Sequence, residues 1–576
     1  MYRYIVLLDG LGRGVHIRAR LQNLGLDRRL SFGDVDLYAD RHTPVHPLAS
    51  GGAVIGHLFS SESATQVAQA DLTAPASEAA LAQRLLDEYW GEYLLLQTEG
   101  EGGQGTKVMR DPSGGVDCLY SPRNGFVTSD ISIATTLGLY RRQVDWDFIG
   151  NNLVYPHHKT GRTGLAQLHE LLPGHQLSLG PNLSAPEQVW SPWPFVCAPQ
   201  RHRDRHDAQA DVRHAVSTAV KCLAEADQSL LLELSGGLDS SVVAACLRDT
   251  CARVACCNLV TPVPGADEKN YASLMADLLG VQLDVRRLGF DRTPLDFQPP
   301  TNSVAPSTWF LQHAANELSE AIGNDLGVAS YFSGGGGDTV FCFMRTAAPA
   351  ADAFSECGLK AGLRAVRDLA ELHQCTFWRA GRLAIRKLVA PPKPTRKPDH
   401  SFLTSALADE KLDAHPWFAA PSGTLAGDRE RVFDLAGTQV FRDGLARGAK
   451  RHLRMPLLAQ PVMEACLRTP SWMWIAGGRN RAVVRDAFRD VLPPGILHRR
   501  SKGTFMNYSG AVYRQNKPLL RDYLLKGELE GKGLLDVDAL RRFFDQELAS
   551  RDDRFMRIFD LCAAESWVRH QHQLQA

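Results

Sequence analysis

At 576 residues the chain exceeds what one hydrophobic core sustains, so two domains are expected and three are possible. Hydrophobic residues at 44% and charged residues at 22% exclude disorder, collagen-like repeats and a coiled coil. Lys plus Arg equals Asp plus Glu, 64 against 64, so no net field draws the protein onto nucleic acid or an anionic membrane.

In chain order, the apolar start Tyr4-Ile5-Val6-Leu7-Leu8 is too short for a signal sequence and reads as a strand. No run approaches the roughly 20 apolar residues of a membrane span. The twelve cysteines are scattered and none pairs at zinc-ligand spacing, which fits a reducing cytoplasm. To about residue 185 the pattern is short alternating strands separated by Gly and Pro turns, as at 93–97 and 125–129. Trp190 to Pro194 and the charged run Arg201 to Arg205 read as an interdomain connection, placing a boundary near 200. A helix is expected from about Asp207 to Ala226, then the apolar run Leu230 to Leu234, a glycine turn and a helix from Ser240 to Arg248. A further strand (254–260) and helix (270–279) make the second domain an open, mostly parallel α/β sheet. Beyond about 350 helical patterns dominate, and Arg382 to Lys397, broken by Pro391, Pro392 and Pro394 and followed by Pro398, reads as a stiff solvated linker.

Strand, glycine loop, helix is the geometry that presents backbone N–H groups and a positive helix end to phosphate. In Ser235-Gly236-Gly237-Leu238-Asp239-Ser240-Ser241 the glycines permit close approach of an oxyanion and the serines add hydroxyl donors. Asp239 would repel bare phosphate, so its presence argues for an intervening cation, a magnesium ion bound to phosphates. A second cluster, Ser333-Gly334-Gly335-Gly336-Gly337-Asp338, also follows a strand-like run, and Asp338 suggests a second magnesium ligand facing Asp239. Two patterns are set aside as turns: His169 and His175 stand six apart around a Pro-Gly turn, and Gly10 to Gly14 lacks dinucleotide-loop spacing. Gly527 to Lys532 is one residue short of a Walker loop and reads as a surface turn.

The loop 235–241 resembles the pyrophosphate-binding loop of ATP pyrophosphatases in the asparagine-synthetase branch. The second loop is similar to that branch's Ser-Gly-Glu-Gly-x-Asp-Glu segment, with its Asp on Asp338, its Glu on Gly335 and Thr339 in place of the final Glu. His452 to Leu458 and Arg499 to Phe505, which alone would read as solvated basic segments, resemble the family's Arg-x-Pro-Phe-Leu and Arg-x-Lys-x-x-Phe segments. That likeness places the catalytic lysine on Lys502, while the family's flanking Glu and Asp fall on His452 and Ala459. It also implies ATP and Mg2+ as cofactors, with Gly334 and Gly335 joining the first loop around the nucleotide.

Residues 1–200 resemble the family's glutamine-hydrolysing domain through Gly91-Glu92-Tyr93, Arg110 to Gly114 and Leu172-Pro173-Gly174. That chemistry needs a cysteine at position 2, where this chain has Tyr2, and the glutamine-holding segments are missing. The expectation is a degenerate β-rich amidotransferase-like sandwich (1–200) without glutaminase activity, joined to an adenylating ATP-pyrophosphatase domain with a helical extension (201–576).

Without internal ammonia, the nucleophile should be an amine on another substrate or on the acylated molecule. β-Lactam synthetases also lack the cysteine but carry a Tyr at Gly335, used with a Glu to deprotonate a weakly acidic nitrogen. A glycine there suggests a nucleophile that loses its proton readily, such as a peptide α-amine with a pKa of about 7.7–8.0. The chain as a whole resembles the lasso-peptide cyclases, which adenylate an Asp or Glu side chain of a core peptide and close a macrolactam on its N-terminal amine. That likeness implies a precursor peptide, a leader peptidase and a leader-binding element as partners. A β-lactam-synthetase-like or other natural-product amide ligase is the alternative, and asparagine synthesis ranks below both. A silent peptide-binding scaffold and a tRNA-modifying enzyme fit less well, given the retained Asp239, Asp338 and Lys502 and the neutral charge.

Overall fold

A computed structural model describes residues 1–576 except 50, 68–77, 100–104, 180–183, 264–267, 291, 308, 390–396, 444–445, 500–502, 504, 550–551 and 576. Among the described residues the N-terminal part holds twelve strands: β1 Tyr4–Leu7, β2 Asp27–Phe32, β3 Val35–Ala39, β4 Val45–Pro47, β5 Gly52–Ser60, β6 Tyr89–Glu99, β7 Gly105–Arg110, β8 Leu119–Ser121, β9 Phe126–Thr128, β10 His169–Glu170, β11 His175–Leu179 and β12 Glu187–Gln188. They form two antiparallel sheets, ordered β10-β8-β9-β1-β3-β2 and β12-β11-β7-β6-β5-β4.

Alternation along the strands explains the stacking. Tyr4, Val6, Leu37, Ala53, Ile55, Leu94 and Leu96 point between the sheets into one core. The intervening residues point outward, yet they are apolar too. Ile5, Leu7 and Phe126 pack into a second core with the helices Met506–Leu525 and Phe555–Gln573. Val54, Leu58 and Leu95 pack into a third with the helices Arg205–Asp227 and Leu238–Leu247. A sheet apolar on both faces must be covered on both, and here later parts of the chain cover it.

The remaining strands, β13 Ser229–Glu233, β14 Arg253–Val260, β15 Leu283–Arg287, β16 Ser330–Ser333 and β17 His452–Arg454, form one parallel sheet ordered β15-β14-β13-β16-β17. Strand order reverses between β13 and β16. Both glycine loops leave the carboxyl ends of those two neighbours, so both open on the crevice where α/β sheets bind ligands.

The connection near 190 is packed, with Trp190 and Trp193 buried in the core and the Trp190 indole donating to Glu464 at 3.0 Å. Its charged run is paired as well, Arg205 with Asp486 at 2.7 Å. Arg382 to Lys397 is not a linker at its start, since Arg382 to Val389 closes the helix Phe377–Val389. Ala380 and Ala384, one turn apart, give that helix a buried seam against Val366 and Leu369 that outweighs its charge. Gly527 to Lys532 contains the short helix Glu528–Gly531 with Leu529 buried, rather than an open turn. No helix among the described residues is long and apolar enough to cross a membrane.

Candidate active site

The first loop turns directly out of β13. Gly236 takes φ +75°, and a Cβ there would sit 2.7 Å from Tyr271 Cβ and 2.8 Å from the Ala272 nitrogen, so only glycine fits. The helix Leu238–Leu247 then begins, with Asp239 in its first turn. The Ser235 hydroxyl accepts from the Gly237 N–H at 3.2 Å and lies 3.0 Å from the Ser240 hydroxyl, which fixes the loop's width. Ser241, in the first turn of the helix, is fully buried.

The second loop packs onto the first. A Cβ on Gly334 would lie 2.6 Å from the Ser240 nitrogen, and one on Gly337 would lie 2.5 Å from Asp239 Cβ. Gly335 is different, since a Cβ there would meet only the flexible end of Met455, at 3.3 Å.

This packing brings Asp239 and Asp338 together. Arg481 Nη1 donates to Asp239 at 2.9 and 3.1 Å and to Asp338 at 2.9 Å, so both carboxylates face one positive charge. Arg481 sits in the left-handed region, φ +51°, its guanidinium 5.0 Å from the Phe343 ring centroid. A non-glycine residue held there is a strained backbone maintained by its contacts.

Between the loops lies a cavity of about 250 Å³, lined by Ser235, Ser240, Gly334 and Gly335 and by three arginines: Arg481, Arg485 and Arg499. Arg485 donates to the carbonyls of Ile496 and Leu497, and burial, with Arg481 and Arg479 nearby, lowers it to about 10, still cationic at neutral pH. Arg499 donates to the Gly236 carbonyl at 2.9 Å, pairs with Glu268 and lies over the Tyr271 ring. Glu268 also accepts from the Gly503 N–H at 2.7 Å. Lys502 itself lies outside the described residues.

Sequence reasoning missed Arg481, Arg485 and Glu268. The one available signal for Arg481 was the glycine-bracketed basic run Gly477 to Arg481. Among the described residues no cluster of three or more His, Cys, Asp or Glu could hold a metal unaided. Two carboxylates converging on one cation suit Mg2+, which takes one or two protein carboxylates and completes its shell with phosphate oxygens and water.

The segment expected to be a solvated basic run is interior. Arg454, on β17, is fully buried and donates to Asp227 at 2.6 and 2.8 Å, to Glu92 and to the Tyr2 hydroxyl at 2.8 Å. The Tyr2 hydroxyl lies 2.7 Å from His57 Nδ1, and Arg442 donates to Glu92 at 2.8 Å. Burial alone would raise the Glu92 and Asp227 carboxyls, but the arginines hold both below the usual range. Position 2 is thus tied into a charge network joining the sandwich to β17. Cys118, in the same region, is buried and its thiol is pushed up to about 12, which makes it inert as a nucleophile.

A phosphate-sized crevice at a strand-order switch, walled by glycine loops and arginines, marks a nucleotide-using α/β enzyme. A family model for asparagine synthase matches residues 211–569, more than half of the chain, and the chain belongs to the asparagine synthase family. It is thereby an ATP-dependent amide-forming ligase in type. No curated protein matches it.

Proposed function

We propose that this chain is a macrolactam synthetase of the lasso-peptide kind, acting on a precursor's core peptide. The carboxylate oxygen of an Asp or Glu side chain bonds to the α-phosphorus of ATP as the bridge to the β-phosphate breaks, releasing pyrophosphate. The peptide's N-terminal amine then bonds to the acyl carbon as the acyl–oxygen bond breaks, giving an isopeptide bond, AMP and a proton. The observation that carries this reading is the convergence of Asp239 and Asp338 on one cation at the mouth of the glycine loops.

Mg2+ would be held by Asp239 and Asp338 and would neutralise phosphate charge. The chain's own groups supply the rest. Backbone N–H groups at Gly236 and Gly237 and the hydroxyls of Ser235 and Ser240 suit pyrophosphate oxygens. Arg481, Arg485 and Arg499 offset the carboxylates Glu233, Asp239 and Glu268 that share the lining. By resemblance, Lys502 stabilises charge developing on the α-phosphate. Gly335 contributes no side chain where related ligases place a base, which suits a peptide amine that is partly unprotonated near neutrality and leaves room for a bulky acceptor. Leader-removing and leader-binding partners in the cytoplasm belong to the same reading, and the N-terminal sandwich would serve as a docking or structural body.

The test is to supply a linear core peptide, encoded by a short reading frame beside this gene, with Mg-ATP. AMP, pyrophosphate and a peptide lighter by one water are expected; ADP and phosphate would overturn the reading. Lys502→Met should bind both substrates nearly normally yet lose about 10² to 10³ in turnover, because it removes a fixed cation rather than a contact to the ground state. Cyclisation by Lys502→Met at the wild-type rate would place the catalytic cation elsewhere.

A further inference from the structure

A second cavity, of about 390 Å³, lies beyond the cleft, between Arg345 after the second glycine loop and the helices Ala348–Leu372 and Phe377–Val389. It begins one side-chain layer from the paired aspartates: Arg345 lies 5.4 Å from the Phe343 ring centroid, and Arg481, which bridges Asp239 and Asp338, lies 5.0 Å from the same ring. Among the described residues no acidic one lines it. Arg345, Arg379 and Arg386 line it, and among the described residues no carboxylate lies within ion-pair distance of any of the three. Lys387 differs, since Glu430 neutralises it. Between these charges the lining mixes the polar Thr346, His373 and Gln374 with Leu369, Ala380 and the half-exposed Leu383.

The helix Phe377–Val389 carries four basic residues and no acidic one. A concave surface with unpaired guanidiniums set around the exposed Leu383 matches an extended chain that combines carboxylates with apolar side chains. A bare polyanion would leave Leu383 unmatched. We infer that this cavity is a docking groove for an acidic, partly apolar segment of a peptide substrate, holding the part of the peptide that is not acylated while the reacting carboxylate reaches the Asp239–Asp338 cleft. This rests on the reading that the acceptor is a peptide.

The test reads binding without ATP, so a failure of the cyclase reading would leave its result intact. A fluorescein-labelled short peptide of leucine and glutamate, blocked at both ends, is titrated with full-length protein at low salt and followed by anisotropy, beside its leucine–glutamine counterpart. Wild type should bind the glutamate peptide about tenfold more tightly, the sum expected of two or three exposed ion pairs. Arg379→Glu/Arg386→Glu should abolish that preference, and Arg379→Gln/Arg386→Gln should reduce it, with far-ultraviolet circular dichroism unchanged in both. Equal binding of the two peptides by wild type would overturn the proposal, as would a preference kept by both variants. Displacement of the peptide by anionic phospholipid vesicles or a single-stranded oligonucleotide at lower charge concentration than by unlabelled glutamate peptide would also overturn it.

Discussion

Asp239 and Asp338 were legible as residues because a carboxylate at the end of a glycine loop makes sense only with a cation. What they face was not legible. Arg481 lies 242 positions from Asp239 and 143 from Asp338, and its role depends on a left-handed turn that a basic residue rarely adopts. Asp239→Asn and Asp338→Asn should each lower turnover by about 10²-fold or more, since each removes one oxygen ligand from the same ion. Neither should unfold the protein, because Arg481 keeps the other carboxylate as a partner. Product formation is read beside thermal melting; wild-type turnover in either variant would break the assignment.

Among elements, strand, loop and helix on either side of residues 235–241 fell close to where periodicity put them, because buried parallel strands and their crossover helices carry long, one-sided apolar runs. The helix Phe377–Val389 was missed because its buried seam is only two alanines, invisible beside four charges. Contact between the two glycine loops was equally hidden, and it yields a contrast between neighbours. Gly337→Ala drives a methyl to 2.5 Å from Asp239 Cβ, so it should displace the carboxylate, cost about 1–3 kcal/mol of stability and lower activity more than tenfold. Gly335→Ala meets only the movable end of Met455 and should stay within about 1 kcal/mol of wild type in chemical denaturation, with activity largely kept. The same phenotype in both would show that the loops do not fit together as described.

At the scale of the whole molecule, the network around Arg454 sets the relation of sandwich to parallel sheet. It was illegible because its members come from positions 2, 57, 92, 227 and 454, and a basic run in sequence does not announce that it is interior. Arg454→Met strands two buried carboxylates and should cost about 3–5 kcal/mol in denaturant unfolding. Tyr2→Phe, which leaves one buried donor short of a partner, should cost about 1–3 kcal/mol. His57 gives the network a pH signature. Burial first, then the Arg454 charge, lowers it from 6.5 to about 4, so below pH 6.5 the unfolded chain binds a proton that the folded chain refuses. Stability from this group is therefore whole above 6.5 and drains as pH falls toward 4, by about 2 kcal/mol near pH 5. His57→Gln lacks this loss. Its stability deficit against wild type at about pH 7.5 should shrink by about 2 kcal/mol near pH 5, measured by urea unfolding at both; a constant deficit would place the proton elsewhere.

The outward faces of the two antiparallel sheets have a further consequence, in the order of synthesis. Arg142 of the N-terminal half donates to Gln571, 429 positions later, and Gly164 sits against the Trp567 ring of the helix Phe555–Gln573. While the ribosome is still translating the middle of the message, the sandwich exists as a chain whose apolar outer sheet has no cover, because its lid has not yet been made. The nascent N-terminal half should therefore need a holding chaperone for most of translation, and ribosome-stalled chains lacking residues 555–573 should be captured by such chaperones and cut by protease where full-length chains are not.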